Sequence, residues 1–407
     1  MNNKNIVKIG HISDTHLGYS SGKKIVNGVN LREQDGYDAW HLIIDEMIEQ
    51  KIDFVVHTGD LFHWPNPSIK AINEALIGLR KLADAGIKFY GLAGNHDATD
   101  VVSQLSANEI LNLPEIGIYC FGEPYEKVEP VEGLFLHMVS HHGYIAQEET
   151  FKNIKKIDDA INILLTHGSC YDDNLGLMLK TELAPREVVI PQELIEMDWD
   201  YTLLGHIHER GWVHSKDGLT DTAKRKQFYG GSTIRRGFAD KECKLDRGWT
   251  LWEVDLDTKE FTPNIIKIPQ RAQFDFVINC KNKDITQIDN EIRENLKVAS
   301  EAEHPLVRIT FNDLPTELRL SLSMSQYTDY TRDFLSFSTK FVSNSKTNES
   351  DNEKVFSTDS FSYDLFSAFD SYWDDNKDNI EKEIQEKTKE NSDKYLSEGN
   401  SKVLEKQ

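Results

Sequence analysis

The stretch His57-Thr58-Gly59-Asp60-Leu61-Phe62-His63 decides the fold. It closes an apolar run, Phe54-Val55-Val56, and so predicts a buried strand that spills into a loop at its C-terminal end. Open α/β sheets place their ligand-handling groups at that end of a strand. Gly59 lets the chain turn there and keeps the approach to Asp60 clear. Asp60 is therefore the candidate bridge between two divalent metal ions, with the other functional groups gathered around it.

Toward the N-terminus, 6–12 reads as the first strand and Ser13-Asp14-Thr15-His16 as its exit loop. Residues 19–34 are polar, carry Lys23, Lys24 and Arg32, and read as an exposed loop. Trp40, Ile43, Ile44 and Met47 predict a helix over 37–50. On the other side of Asp60, Pro65 and Pro67 break the chain. Ser68 is placed to cap a helix with Ile69, Ile72, Leu76, Leu79 and Leu82 on one face, ending at Gly86. A third strand, 87–93, exits through Gly94-Asn95-His96-Asp97. The β-α-β-α-β order predicts parallel strands joined by right-handed crossovers.

Further strands are expected at 134–139, at 161–166 ending on His167, at 201–204 ending on Gly205-His206-Ile207-His208, and at 228–233 and 249–255. From Pro269 the pattern changes to strand 274–280, helix 285–299 and strand 306–311, a small accessory βαβ unit. Serine, threonine and asparagine dominate 321–360, and 336–360 reads as a linker. Beyond it Phe361, Leu365, Phe369 and Trp373 recur every four residues. That stripe is too short to fold alone and must bury its aromatics against something.

The 407 residues accommodate one large domain and one or two small ones. No apolar run reaches a membrane span, and the N-terminal residues show no signal-peptide core, so a cytoplasmic, intracellular protein is expected. Cys120, Cys170, Cys243 and Cys280 form no C-x-x-C pair, which argues against a disulfide framework or a thiolate zinc site. The formal charge of −22 counts against broad, charge-driven coating of nucleic acid. It leaves room for a nuclease, in which cations hold the scissile phosphate and a few local Lys and Arg hold its neighbours.

Five segments share one feature: each succeeds an apolar run and presents oxygen or imidazole ligands. They are Asp14-x-His16, Gly59-Asp60, Gly94-Asn95-His96-Asp97, His167-Gly168 and Gly205-His206-x-His208. Strand alternation predicts that D-x-H and H-x-H each put both ligands on one side. Mixed carboxylate, imidazole and amide donors suit Mn2+, Fe2+ or Zn2+ better than Ca2+. The seven ligands divide into Asp14, His16 and His208 for one ion and Asn95, His167 and His206 for the other, with Asp60 shared. Two ions about 3.5–4 Å apart clamp the attacking and leaving oxygens of an in-line phosphoryl displacement. His96 is left over, placed to protonate the departing oxygen.

This ordered set resembles the calcineurin-like metallophosphoesterase superfamily, and within it the SbcD-type, or meiotic-recombination-eleven-type, nucleases. Asp60-Leu61-Phe62-His63 is similar to that branch's G-D-L-F-H segment, whose last His helps position DNA. Gly230-Gly231-Ser232-Thr233-Ile234-Arg235-Arg236 is similar to its G-S-T-x-R, and His206-Ile207-His208-Glu209-Arg210 to its G-H-I-H-x-R. The resemblance implies an α/β fold, a two-layer β-sandwich flanked by helices, with a small α+β cap and a helical C-terminal tail. It implies two Mn2+ ions, although other divalent metals fit the donor set. It also implies 3′-to-5′ exonuclease action on duplex DNA, endonuclease action on single strands, and a coiled-coil ATPase partner of the SbcC type. A homodimer and no membrane association are expected. The domains are then 1–268 for the nuclease, 269–335 for the cap, 336–360 for the linker and 361–407 for the partner-binding tail.

His96 and His63 are the expected catalytic pair. Arg235, Arg236, Lys23, Lys24 and Arg32 are candidate DNA contacts, and Phe361, Leu365, Phe369 and Trp373 are candidate ATPase contacts. His11, His41, His57 and His137 fall inside strand or helix patterns and read as structural. His141 and His142 read as surface or supporting groups, and Asp97 as orienting His96 or satisfying its own loop. The competing readings are a metal-dependent phosphomonoesterase or cyclic-nucleotide phosphodiesterase, and a scaffold with structural metals.

Overall fold

The computed structural model describes residues 5–22, 24–98, 106–145, 147–170, 189–213, 226–238 and 245–342. The chain divides into two units, Met1–Ser343 and Asn344–Gln407, and all described residues lie in the first. Lys23, Cys243 and the stripe Phe361, Leu365, Phe369 and Trp373 lie outside the described residues.

Two six-stranded sheets form the body. The first runs in the order Glu260–Lys267, Gly248–Asp255, Ile6–Ile12, Phe54–His57, Lys88–Leu92, Ile118–Phe121. The second runs Gly211–Trp212, Gln227–Tyr229, Tyr201–Gly205, Ile161–His167, Leu134–Val139, Tyr125–Val131. Strands from Ile6–Ile12 to Ile118–Phe121 are mutually parallel, as are those from Leu134–Val139 to Gln227–Tyr229, with antiparallel strands at the flanks.

Alternation explains the layering. Val7, Ile9, Phe54 and Val56 point between the sheets, onto Leu136, Met138, Ile163, Leu165 and Leu203. Ile12 and Val55 point the other way, onto Trp40, Ile43, Ile44, Met47, Leu79 and Leu82 of the covering helices. A strand buried on both faces reads as an unbroken apolar run, which is why these strands are visible in the sequence. Among the described residues no helix is long and apolar enough to cross a membrane. Cys120, Cys170 and Cys280 are buried free thiols.

Three expectations change. The loop expected over 19–34 contains a hairpin, Ile25–Val26 with Val29–Asn30, and the helix begins early, spanning Leu31–Glu49. Asn30 caps it by accepting from the Arg32 and Glu33 amides. The first turn is polar, so apolar periodicity hides the true start. Second, Ser68 does cap Ile69–Asp84 through the Ala71 amide, but Ile69 is 87% exposed and contributes nothing to the buried face. Third, the linker does not begin at 336. Ser336–Val342 is a strand, parallel to Leu306–Asn312, which pairs in turn with Gln273–Asn279. The cap is therefore a three-stranded parallel sheet under helix Ile285–Ala299, whose Asp284 and Gln287 make a reciprocal capping box. Phe341 stacks on Phe311 at 5.4 Å, a contact that the surrounding Ser and Thr conceal in the sequence.

Candidate metal centre

The five exits converge at the C-terminal ends of the parallel strands. Two loops lie side by side in the first sheet: the Asp14 amide donates to the Gly59 carbonyl at 3.1 Å, and the His16 amide to the Asp60 carbonyl at 2.9 Å. The two sheets are tied across the site as well, because the His206 amide donates to Asp14 Oδ1 at 3.0 Å. Asp14, His16, Asp60 and His206 all have positive φ, at 49°, 49°, 57° and 93°. Such backbone is rare outside glycine and marks places where the surroundings hold strain for a purpose. Strand alternation is thus not what aligns Asp14 with His16. Both lie past the end of Ile6–Ile12, and left-handed turns aim them.

Glycine makes the convergence possible. A methyl at Gly94 would fall 2.2 Å from Asp60 Oδ1, and one at Gly205 would fall 2.0 Å from the Thr58 carbonyl oxygen.

The expected ligand sets come together. Asp14, His16 and His208 present donor atoms within 4.8 Å of one another. Asn95 Oδ1 lies 2.9 Å from His167 Nε2 and 3.1 Å from His206 Nδ1. Asp60 Oδ2 sits between the sets, 3.5 Å from His16 Nε2 and 3.4 Å from His167 Nε2. The tautomer of His167 is fixed, since its Nδ1 is 2.8 Å from the Thr58 carbonyl and must donate there, which leaves Nε2 for a ligand. His16 Nε2 is buried and lacks a hydrogen-bond partner. An orphaned buried nitrogen aimed at two carboxylates is a poor structural device but a sound metal ligand. The residues present therefore fit a pair of divalent cations.

The electrostatics agree. Burial, then the Arg236 cation, holds both His16 and His208 well below the usual imidazole value, so both are neutral donors. Burial raises Asp14 to about 6. Burial alone would keep His167 neutral too, but the Asp60 carboxylate outweighs it and pushes His167 up to about 9. Burial likewise opposes ionisation of Asp60, and His167 overcomes that, holding the carboxyl well below its usual range.

Metal and proton therefore compete for His167. Without divalent ions the raised His167 contributes stability that is complete below the ordinary histidine pKa of 6.5 and is lost as pH rises through about 9, while the depressed Asp60 contributes stability that is lost on acidification below the ordinary carboxylate range. With them the dependence reverses for binding: affinity falls on acidification, by up to about tenfold per pH unit for one displaced proton. Calorimetric titration with Mn2+ near about pH 7.5, in buffers of different ionisation enthalpy, should report about one proton released. A proton-neutral titration would contradict the arrangement.

The catalytic candidates flank the ligands. His96 Nδ1 lies 2.9 Å from the His63 carbonyl and donates to it, which leaves Nε2 for other chemistry, and the ring stands edge-on to His16 with centroids 4.8 Å apart. The two imidazoles stack, with centroids 5.0 Å apart. His63 also packs edge-on against Trp64 at 4.6 Å. Asp97 accepts from the Gly94 and Leu61 amides at 2.6 and 2.7 Å, so it shapes its own loop and does not orient His96.

The basic candidates separate. Arg32 is not an exposed loop residue. It is 2% exposed, pairs with Asp35 and donates to the Arg235 carbonyl, because the helix begins six residues before its apolar face does. Lys24 bonds His304 Nδ1 at 2.7 Å in the cap. Arg235 donates from Nε to the Leu245 carbonyl at 2.9 Å. Among the described candidates only Arg236 reaches the metal centre, 3.1 Å from His208 Nε2 and 3.3 Å from His63 Nδ1.

The structural histidines have partners: His11 with Thr58, His57 with Thr15, His137 with Asn162 and His41 with Glu74. His142 bonds the Gly122 carbonyl at 3.0 Å, and neither it nor His141 joins a ligand cluster among the described residues. Two contributors escape sequence reasoning. Tyr19 stands edge-on to His63 at 5.1 Å, and the buried Arg247 donates to the His208 carbonyl. Neither belongs to a spaced motif, so no local signal marks them.

A sandwich that brings two carboxylates, an amide and four imidazoles to one end has the make-up of a metal-dependent phosphoesterase. The calcineurin-like phosphoesterase model matches residues 7–210, about half of the chain, and the chain belongs to that family. Among curated relatives it is similar to the DNA double-strand break repair protein Mre11 of Methanocaldococcus jannaschii, 28% identical over 307 residues, covering 68% of this chain and 74% of that one. The Mre11 proteins of Methanococcus maripaludis and Saccharolobus solfataricus are each 28% identical as well, covering 73% and 75% of this chain and 76% and 74% of theirs.

Proposed function

We propose that the chain is a two-metal-dependent DNA nuclease that processes double-strand breaks. One observation carries the reading: Asp60 Oδ2 stands between two complete ligand sets, while His96 presents a spare nitrogen beside them. Divalent ions held there, Mn2+ in our reading, supply a Lewis acid for the phosphodiester and lower the pKa of attacking water. The chain's own residues do the rest. His96 acts from its imidazolium form: Nδ1–H stays bonded to the His63 carbonyl, Nε2–H goes to the departing sugar oxygen, and the neutral ring then regains a proton from solvent. Burial lowers the His96 pKa, and the bound anionic diester offsets that. His63, Tyr19 and Trp64 line the rim with ring edges suited to a nucleotide.

The similarity to Mre11 proteins, named for DNA double-strand break repair, supports DNA as the substrate. Our reading adds 3′-to-5′ exonuclease action on duplex ends and endonuclease action on single strands. The same reading includes a coiled-coil ATPase partner and a working homodimer inside the cell. With a net charge of −22 the isolated chain should bind DNA weakly and with a shallow salt dependence, since few phosphates are neutralised.

The test is cleavage with Mn2+ of duplex DNA against a small aryl phosphomonoester. Turnover of the monoester alone would overturn the nuclease reading in favour of a small-substrate phosphatase. His96→Ala tests the acid. It should keep both metals by calorimetry and lose about 10²–10⁴-fold in kcat. Undiminished cleavage would remove His96 from the mechanism.

A further inference from the structure

Residues 235–238 form a strap that is tied down at every position. The Arg235 amide donates to Gln270 Oε1 at 3.1 Å, and the Arg235 carbonyl accepts from the buried Arg32. Tyr19 Oη donates to the Arg236 carbonyl at 2.8 Å. Gln273, on the first strand of the cap, donates to the Gly237 carbonyl, and the Arg308 guanidinium lies 4.9 Å from the Phe238 ring. From this fixed backbone the Arg236 side chain enters the metal centre. Its guanidinium stands 5.5 Å over the Tyr19 ring, and its two terminal nitrogens reach His63 Nδ1 and His208 Nε2.

The contact with His208 identifies the ligand. His208 Nε2 is the nitrogen that faces Asp14, 3.8 Å from its Oδ1, within the cluster that would hold a cation. One lone pair cannot accept from Arg236 and bind a metal at once. A guanidinium beside a divalent cation is also repelled unless an anion stands between them. An oxyanion with several oxygens relieves both conflicts, because the planar N–H fork takes one edge while the cation side takes another. Among biological diesters that anion is a phosphate.

We propose that Arg236 is a catalytic residue that clamps the phosphate at the metal centre, exchanging His208 for a phosphoryl oxygen, with Tyr19 and the cap residue Gln273 as positioning residues. The proposal rests on the dimetal phosphodiester reading but not on DNA being the substrate.

The test uses the full chain, with Mn2+ and inorganic phosphate as separate probes. In Arg236→Gln the two affinities should move in opposite directions. Mn2+ alone binds more tightly, because its competitor for His208 is gone, while phosphate binds the Mn2+-loaded protein about tenfold more weakly. The kcat on a bis-aryl phosphodiester should fall about 10²-fold, the usual loss of one preorganised donor. Arg236→Lys keeps the charge without the fork and should fall between. A purely structural arginine would weaken both ligands together, and that result, or affinities for both within about twofold of wild type, overturns the proposal. Tyr19→Phe covers the case of a misfolded Arg236→Gln. It should lower kcat while leaving Mn2+ affinity alone, and an unchanged kcat counts against the clamp. Wild type that cleaves the aryl diester but not DNA would sink the nuclease reading and leave the Arg236 assignment standing.

Discussion

Asp60→Asn should abolish cleavage while leaving the fold intact. The replacement is nearly isosteric and keeps an oxygen for the His96 amide, which donates to Asp60 Oδ1 at 2.8 Å. What disappears is a full negative charge at the point shared by both ligand sets. His167 loses the anion that holds its proton, and each cation loses a ligand. Metal assistance supplies several kcal/mol of transition-state stabilisation, so a loss of about 10³-fold or more in kcat is expected. Calorimetry should find fewer than two Mn2+ per chain, and in chelator at neutral pH the variant should remain folded but melt below wild type, because the ion pair with His167 is gone. A variant that keeps two metals and most of its activity would show that Asp60 does not bridge them.

Gly205→Ala should be the most damaging small change to stability. A methyl there would lie 2.0 Å from the Thr58 carbonyl oxygen, 2.4 Å from Ser13 Oγ and 2.7 Å from His167 Nδ1. Backbone on one side and a fixed imidazole on the other leave little to give way. Overpacking of this kind costs about 1–3 kcal/mol, and here it also displaces a ligand and the loop carrying Asp14. Gly133→Ala is the control. It has no atom within 4 Å and meets only a left-handed φ of 78°, worth about 1–2 kcal/mol. Gly205→Ala should therefore melt below Gly133→Ala and lose Mn2+ binding, whereas Gly133→Ala keeps it. Equal melting with intact metal binding would mean that the sheets separate more easily at this point than the packing indicates.

The ligand set is legible in the sequence because its strands are buried on both faces. Phe54-Val55-Val56 and Ile161–His167 read as unbroken apolar runs, and each run gives way to a short, functional exit loop. The geometry that aims the ligands is not legible. Left-handed backbone at Asp14, His16 and His206 leaves no mark in composition, so strand alternation is the wrong reason for residues that nonetheless come together. Arg32 is misplaced by the sequence because Leu31–Glu49 opens on a charged turn, and apolar periodicity begins only at Tyr37. Ser336–Val342 is hidden by its serines and threonines: Phe337 packs against the core of the unit, while Phe341 stays exposed and only stacks on Phe311. The reach of Arg236 into the site depends on bonds from Tyr19 and Gln273, each distant in sequence, and no spacing rule encodes that.

The two halves of the sandwich are fastened by different means at their two ends. At one end Tyr201 stacks on Phe261 across the seam, with centroids 3.8 Å apart, a dry closure. At the other, each ligand triad draws members from both halves, so a cation there would act as a rivet through the seam. Chelation should accordingly let the riveted end exchange its amide hydrogens sooner while the aromatic end stays protected, making cation supply a control on rigidity as well as on turnover.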